Sequence, residues 1–209
     1  MEAMSIFYLV RHGQSTWNQI GRIQGKQDPP LSTLGRRQAM ALADALKHEP
    51  LDVVYSSPQR RARMTAEAVA SDHNLPIQIV EGLAEIDHGF WEGLTEAEIQ
   101  SRFAISFYTW LRRPSQTLMP GGEHTLAVQQ RVLDAWREIV QRHEGNHALI
   151  VSHDIPIKVI IADVLHLSLD SIGHFVLDNA AISVVQKAEG ELQIVRLNDR
   201  CHLQVISGA

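Results

Sequence analysis

An α/β fold, a three-layer α/β/α sandwich with a mainly parallel central sheet, is predicted by three features of this sequence. Short apolar runs alternate with segments of helical period, as in repeated β-α units. The runs at 6–10 and 148–151 are apolar at odd and even positions alike, so neither has a wet face and both suit central strands. Both also stop abruptly at polar residues, Arg11-His12-Gly13 after the first and Ser152-His153-Asp154 after the second.

Taken in order, the first strand delivers Arg11 and His12 to a sheet edge, and Gly13 allows a sharp turn there. Residues 19–32 form a polar loop broken by Gly21, Gly25, Pro29 and Pro30, expected beside that strand's mouth. A helix starts at Ser32 or Thr33, carries Ala39, Leu42, Ala43 and Leu46 at spacings that make one apolar stripe, and closes before Pro50. Residues 51–55 are a second strand, which stops at Ser56-Ser57-Pro58-Gln59-Arg60-Arg61. Pro58 suits the first turn of the next helix, which runs to about Ser71 with Ala62, Thr65, Ala66 and Val69 inward. A third strand at 76–80 leads into 81–93, where Glu85, Asp87, His88, Glu92 and two glycines surround Phe90 and Trp91 as an ordered functional loop.

Thr95 and Glu98 make a capping-box pattern that opens a short helix. A second helical piece at 104–111 follows, and its aromatic residues read first as core. After a loop at 114–122, the longest helix spans 124–142, stopped by Gly145. The strand at 147–152 precedes a helix from Pro156 to about Leu165. Alternating strands near 181–186 and 191–197 meet at Glu189-Gly190, and this hairpin allows one antiparallel strand in the sheet. No repeat or linker interrupts the chain, so a single domain over 1–209 is expected, with a helical cap-like insertion around 94–123.

The totals narrow the function. With 209 residues, 44% hydrophobic and 21% charged, the chain can bury a sizeable core and lacks the composition of a disordered polymer. A net charge of -5 and scattered basic residues argue against a nucleic-acid surface, while the small clusters Arg60-Arg61-Arg63 and Arg112-Arg113 suit a small phosphate better. The lone Cys201 fits a reducing compartment, so the cytoplasm is the expected location. Neither a secretory leader pattern nor an apolar run of membrane-spanning length appears, so no membrane partner is expected.

Carboxyl ends of parallel strands line one crevice, so Arg11 and His12, the 56–61 turn and His153 can converge there. Histidines, arginines and a carboxylate in one crevice suit phosphoryl transfer. A neutral imidazole attacks phosphorus when an acceptor holds its other ring N–H. Arginines grip phosphoryl oxygens with paired N–H groups, and a protonated second histidine would add a further positive donor. A carboxylic acid of raised pKa protonates the leaving oxygen and later activates water, and the 81–93 loop offers Glu85, Asp87 and Glu92 for that role.

Leu9-Val10-Arg11-His12-Gly13 with Asn18, Ser56-Ser57-Pro58 with Arg61-Ala62 and Thr65-Ala66, Glu85 with Gly89 and Glu92-Gly93, and Val151-Ser152-His153 together resemble the histidine phosphatase superfamily, the phosphoglycerate mutase-like fold. Order and spacing match through nearly the whole chain. The resemblance implies His12 as the phosphohistidine, Arg11, Arg61 and His153 as the phosphate pocket, and Glu85 as the proton donor. It also implies substrate contacts at Asn18, Gln24 and Gly25; Glu123, beside Gly122, is either a further contact or part of a structural turn. The family commonly has glycine after the second histidine, whereas this chain has Asp154, which either caps the following helix, the favoured reading, or lowers acceptance of highly anionic substrates.

The implied activity is hydrolysis of a small phosphorylated metabolite, with no metal or other cofactor. Phosphoglycerate mutase activity is the alternative within the family, kept open by Arg112-Arg113. Relatives often pair, so a homodimer is a further expectation. Outside the family reading stand a metal-dependent hydrolase, prompted by 11 histidines but without ligand spacing, and an inactive binding module on the same fold.

Overall fold

The computed structural model describes residues 4–206, so the extreme ends of the expected 1–209 domain lie outside the described residues. A six-stranded sheet has β1 (Ser5–Arg11), β2 (Val53–Ser56), β3 (Ile77–Ile79), β4 (His147–Ser152), β5 (Ile182–Ala188) and β6 (Glu191–Asp199) in the order β3-β2-β4-β1-β5-β6. The block β3-β2-β4-β1 is parallel. β5 runs antiparallel to both of its neighbours, β1 and β6, so it is the one reversed strand, as the sequence reading allowed, and β6 again runs in the direction of β1. The hairpin turns at Glu189-Gly190, with both residues at positive φ.

Alternation along buried strands divides the core into two layers. Phe7 and Leu9 of β1, Ala148 and Ile150 of β4, and Val53 and Tyr55 of β2 face the side packed by α5 (Thr125–Arg142) and α6 (Asp154–Val164). Ile6, Tyr8, Val10, Leu149, Val151 and Val54 face α1 (Thr33–Leu46) and α2 (Arg60–His73). The central strands are therefore apolar at every position because both faces are covered. Each fully buried Leu or Val side chain contributes roughly 1.5–3 kcal/mol, so the site is carried by the most firmly packed strands.

The helices follow their sequence cues, with instructive exceptions. Ser32 caps α1 by accepting from Gly35 N–H at 3.0 Å, and Thr95 and Glu98 form the expected capping box on α3 (Glu96–Arg102). Pro58 lies outside its helix, because Gln59 is the N-cap of α2. Asp154 does not cap α6: the N-cap is His153, and Asp154 is the first helical residue. Between the third strand and α5, α3 and α4 (Ala104–Arg112) pack on the core through Ile99 and Phe107, where Phe107 is buried beside Trp91 while Tyr108 is exposed. The core-first reading of that aromatic group thus holds for Phe107 and only in part for its neighbours.

Candidate active site

The parallel register brings the strand ends level. Arg11 pairs with Ser152 across β1 and β4, and Ser56 with Val151 across β2 and β4, so the residues just beyond each strand share one edge. His12 leaves β1 with its backbone held on both sides: its N–H donates to Ser152 O at 2.9 Å and its carbonyl accepts from Asn179 Nδ2 at 3.0 Å. Gly13 follows because there is no room for a side chain; a Cβ would stand 2.6 Å from Gly35 O. Its N–H is fixed instead by Thr65 Oγ1 on α2, at 3.0 Å.

The buried His12 ring has a defined proton arrangement. Arg61 Nε lies 3.2 Å from His12 Nε2, and since an arginine N–H can only donate, Nε2 is the accepting nitrogen. Nδ1 then carries the hydrogen and donates to Gly13 O at 2.7 Å. Burial, followed by the charges of Arg61 and Arg11, holds the His12 pKa well below the usual histidine value, so the ring is neutral.

Arg61, also buried, projects from the first turn of α2, whereas its neighbours Arg60 and Arg63 point to solvent. Nη1 donates to Gln27 O at 2.8 Å and Nη2 to Gly25 O at 3.1 Å. Its pKa is lowered to about 10 by burial, with Glu85 and Asp28 opposing the shift, so it is charged at neutral pH. The loop supplying those carbonyls is pinned through Glu92, whose carboxylate accepts from Lys26 N–H at 2.7 Å and from Gln27 Nε2 at 2.9 Å. Gly25 sits at positive φ where a Cβ would strike that same carboxylate.

His153 packs edge-on against His12 with ring centroids 5.1 Å apart. Its Nε2 is 2.6 Å from Ser57 Oγ, and the serine hydroxyl donates onward to Gln59 Oε1, so Nε2 carries the hydrogen. Gln59 Oε1 also accepts from Glu85 N–H at 3.3 Å, joining the second histidine to the acid-bearing loop. Burial, then Arg61, His12 and Arg11, hold His153 well below the usual histidine pKa. The expected protonated second histidine is therefore neutral here, because burial, and after it the positive charges around it, disfavour its protonated form.

Glu85 is buried. Its carboxylate accepts from Ile86 N–H at 3.0 Å, and burial, followed by the like charge of Asp154, raises its pKa against the opposing pull of Arg61 and Arg11. It has the environment of a carboxyl group that holds its proton more tightly than an exposed glutamate. Asp87 is engaged elsewhere, accepting from Gly89 N–H at 2.8 Å, and Glu92 is the loop pin described above.

Among the other sequence-predicted contacts, Asn18 and Ser15 exchange hydrogen bonds at 3.0 Å, and Asn179 Nδ2 lies 3.4 Å from Asn18 Oδ1. Gln24 is buried with Oε1 lacking a partner among the described residues. Glu123 is taken up by Arg131, with Oε1 to Nε at 2.8 Å and Oε2 to Nη2 at 3.0 Å, and also accepts from Asp87 N–H at 2.9 Å. Arg131 in turn donates to the carbonyls of Gly82, Ala84 and Glu85, so this pair braces the acid-bearing loop.

Sequence reasoning assigned nothing to Gln59, Arg131 or Asn179. For Arg131 a signal existed: a charge next to Val132 and one turn from Val128, beside the inward stripe of α5.

Comparison with known proteins decides what these residues belong to. The family model of the histidine phosphatase superfamily (branch 1) matches residues 7–200. The chain belongs to that superfamily. Phosphoserine phosphatase 1 of Hydrogenobacter thermophilus is 38% identical over 195 residues, covering 93% of this chain and 92% of that protein. The solved structure of Bacillus stearothermophilus YhfR superposes with a TM-score of 0.90 at 35% identity, covering 95% of this chain and 99% of that one. A phosphoserine phosphatase variant from Entamoeba histolytica, solved in complex with phosphoserine, gives a TM-score of 0.86 at 28% identity, covering 95% and 99%. This histidine phosphatase is a phosphomonoester hydrolase, and mutase activity has less support. Among the described residues no group of three or more His, Cys, Asp or Glu is placed to hold a metal ion, and no helix is long and apolar enough to cross a membrane.

Proposed function

We propose that this histidine phosphatase hydrolyses a small phosphorylated metabolite through a covalent phosphohistidine on His12, with phosphoserine the first substrate to test. The observation that carries this reading is the neutral His12 ring, its Nδ1–H tied to Gly13 O and its Nε2 lone pair accepting from Arg61. Nε2 attacks phosphorus as the ester P–O bond breaks, and the Glu85 carboxyl gives its proton to the departing oxygen. Water then attacks phosphorus, Glu85 takes the water's proton, and the P–N bond breaks to release phosphate and restore the neutral imidazole. Positive charge from Arg61 and Arg11 stabilises the phosphoryl oxygens in both steps. Entry of a phosphoryl dianion reverses the field at His153 and favours its protonated, donating form.

Asn18, Gln24 and Gly25 lie on the loops flanking His12 and Arg61 and are the proposed contacts to the rest of the substrate. Glu123 is assigned to bracing Arg131. Work in the reducing cytoplasm, as a homodimer, completes the proposal. The direct check is steady-state hydrolysis of phosphoserine, 3-phosphoglycerate and glycerol phosphate in the presence of chelator. Turnover indifferent to chelator is expected, whereas activity lost in chelator and restored by a divalent ion would replace the phosphohistidine by metal-assisted hydrolysis.

A further inference from the structure

Asp154 puts a negative charge at the second-histidine corner of the phosphate clamp. Its side chain makes no helix-capping bond. Instead Oδ1 lies 3.7 Å from Arg11 Nη1, and Oδ2 lies 2.9 Å from Lys158 Nζ, one turn further along α6. All three side chains are largely covered, with exposures of 21% for Arg11, 24% for Asp154 and 13% for Lys158. Cation, anion and cation thus form a row running from the phosphate clamp into α6, and screening along it is weaker than at an open surface.

This row divides the Arg11 guanidinium. Nη1 donates to Leu177 O and faces Asp154, while Nε is buried with no partner among the described residues. The Nη1 side is thereby anchored in the protein, and an unused donor is kept at Nε. A glycine at position 154 would leave Arg11 held by Leu177 alone and its charge unopposed on this side.

We propose that Asp154 is a specificity-determining and positioning residue: it fixes the Arg11 guanidinium, cancels part of its charge, and so disfavours substrates whose leaving group is itself anionic. This rests on the phosphatase reading above. A clamp built for a dianionic phosphoryl group needs positive charge, and surplus charge beyond that need attracts additional carboxylates or phosphates on the substrate. Asp154 removes that surplus while leaving Arg61, the other arginine of the clamp, untouched.

The same charge bears on the proton donor. Glu85 is faced by Arg61 from α2, Arg11 from β1 and Asp154 from α6, with Arg131 of α5 on its backbone carbonyl. Arg61 and Arg11 favour its ionised form, and Asp154 favours the protonated form. Removing the Asp154 charge therefore lets Glu85 lose its proton at lower pH, which moves the basic limb of the pH profile down.

The test is Asp154→Asn, which keeps the shape and removes the charge, assayed by kcat/KM against wild type. Glycerol phosphate supplies a neutral leaving group, 3-phosphoglycerate an anionic one, and p-nitrophenyl phosphate one that departs without a proton. The expected result is a preference for 3-phosphoglycerate over glycerol phosphate that rises about threefold or more. With it, the basic limb for glycerol phosphate falls by about half a pH unit while the limb for p-nitrophenyl phosphate stays in place. A variant with the wild-type preference, or with its glycerol phosphate limb unmoved, overturns the proposal, as does an equal movement of both limbs. If wild type hydrolyses neither these three esters nor phosphoserine, the phosphatase reading itself fails and the proposal with it.

Discussion

The strand-mouth clamp and the segment between Gly93 and Thr125 differ sharply in how they are held. In the clamp, His12, Arg61 and His153 are nearly inaccessible and are fixed by Gly13 O, Gly25 O, Gln27 O and Ser57 Oγ. Between Gly93 and Thr125, Ile105 is 88% exposed and Leu118 59% exposed, and the segment is anchored to the core at Ile99, Phe107 and Met119. A reacting centre must be preorganised, so His12, Arg61 and His153 are held by backbone carbonyls and a buried serine hydroxyl that cannot drift. The α3–α4 segment makes no hydrogen bond to those three residues among the described residues and carries no such demand, and in enzymes generally the variable segments, not the reacting centre, set substrate identity.

The comparison can be broken most forcefully at His12. His12→Ala is expected to lower turnover by about 10⁴-fold or more for every phosphate ester, because the covalent route disappears. Residual activity near wild type would remove His12 from the chemistry. Next in size is Glu85→Gln, which should cost about 10²- to 10⁴-fold with glycerol phosphate and far less with p-nitrophenyl phosphate, measured by kcat/KM on both. Equal losses on the two esters would show that Glu85 does not protonate the leaving oxygen.

His88 sharpens the comparison through stability. It is buried in the acid-bearing loop, stacked on Trp91 with ring centroids 6.2 Å apart, and burial lowers its pKa from 6.5 to about 4. The unfolded chain takes up this proton at a pH where the folded chain does not. The contribution is therefore complete above pH 6.5 and is lost as pH falls towards 4, on the order of 3 kcal/mol over the window. His12 and His153 act with the same sign. Tm recorded from pH 7.5 down to 4.5 should fall less steeply in His88→Phe than in wild type, and parallel curves would contradict the assignment. The smallest effect is expected in the open segment: Ile105→Ser should change stability by no more than about 0.5 kcal/mol and leave hydrolysis of p-nitrophenyl phosphate unchanged. A large loss of that activity would show that the segment is part of the clamp after all.

Much of this architecture was legible because periodicity reports local burial. Runs such as Phe7 to Val10 and Leu149 to Val151 declare two covered faces, and their abrupt polar ends mark the crevice. What resisted reading depends on partners distant in sequence. Gln59 and Arg131 are ordinary polar residues until the fold sets Gln59 between Ser57 and Glu85 and brings Arg131 against the carbonyls of 82–85. Asp154 was misplaced by one helical position, since a histidine is an unusual N-cap and an aspartate a favoured one. Of its two ionic partners, Lys158 is one turn away, but Arg11 lies at the far end of the sequence and becomes a neighbour only through the pairing of β1 with β4.

The most direct measurement is mass spectrometry of protein acid-quenched for the shortest time and rapidly digested during turnover of phosphoserine or p-nitrophenyl phosphate, with His12→Ala alongside. The account predicts a single acid-labile phosphoryl group on His12, absent from the variant and formed equally in chelator. Turnover without any phosphorylated intermediate, or a phosphoryl group on another residue, would contradict it.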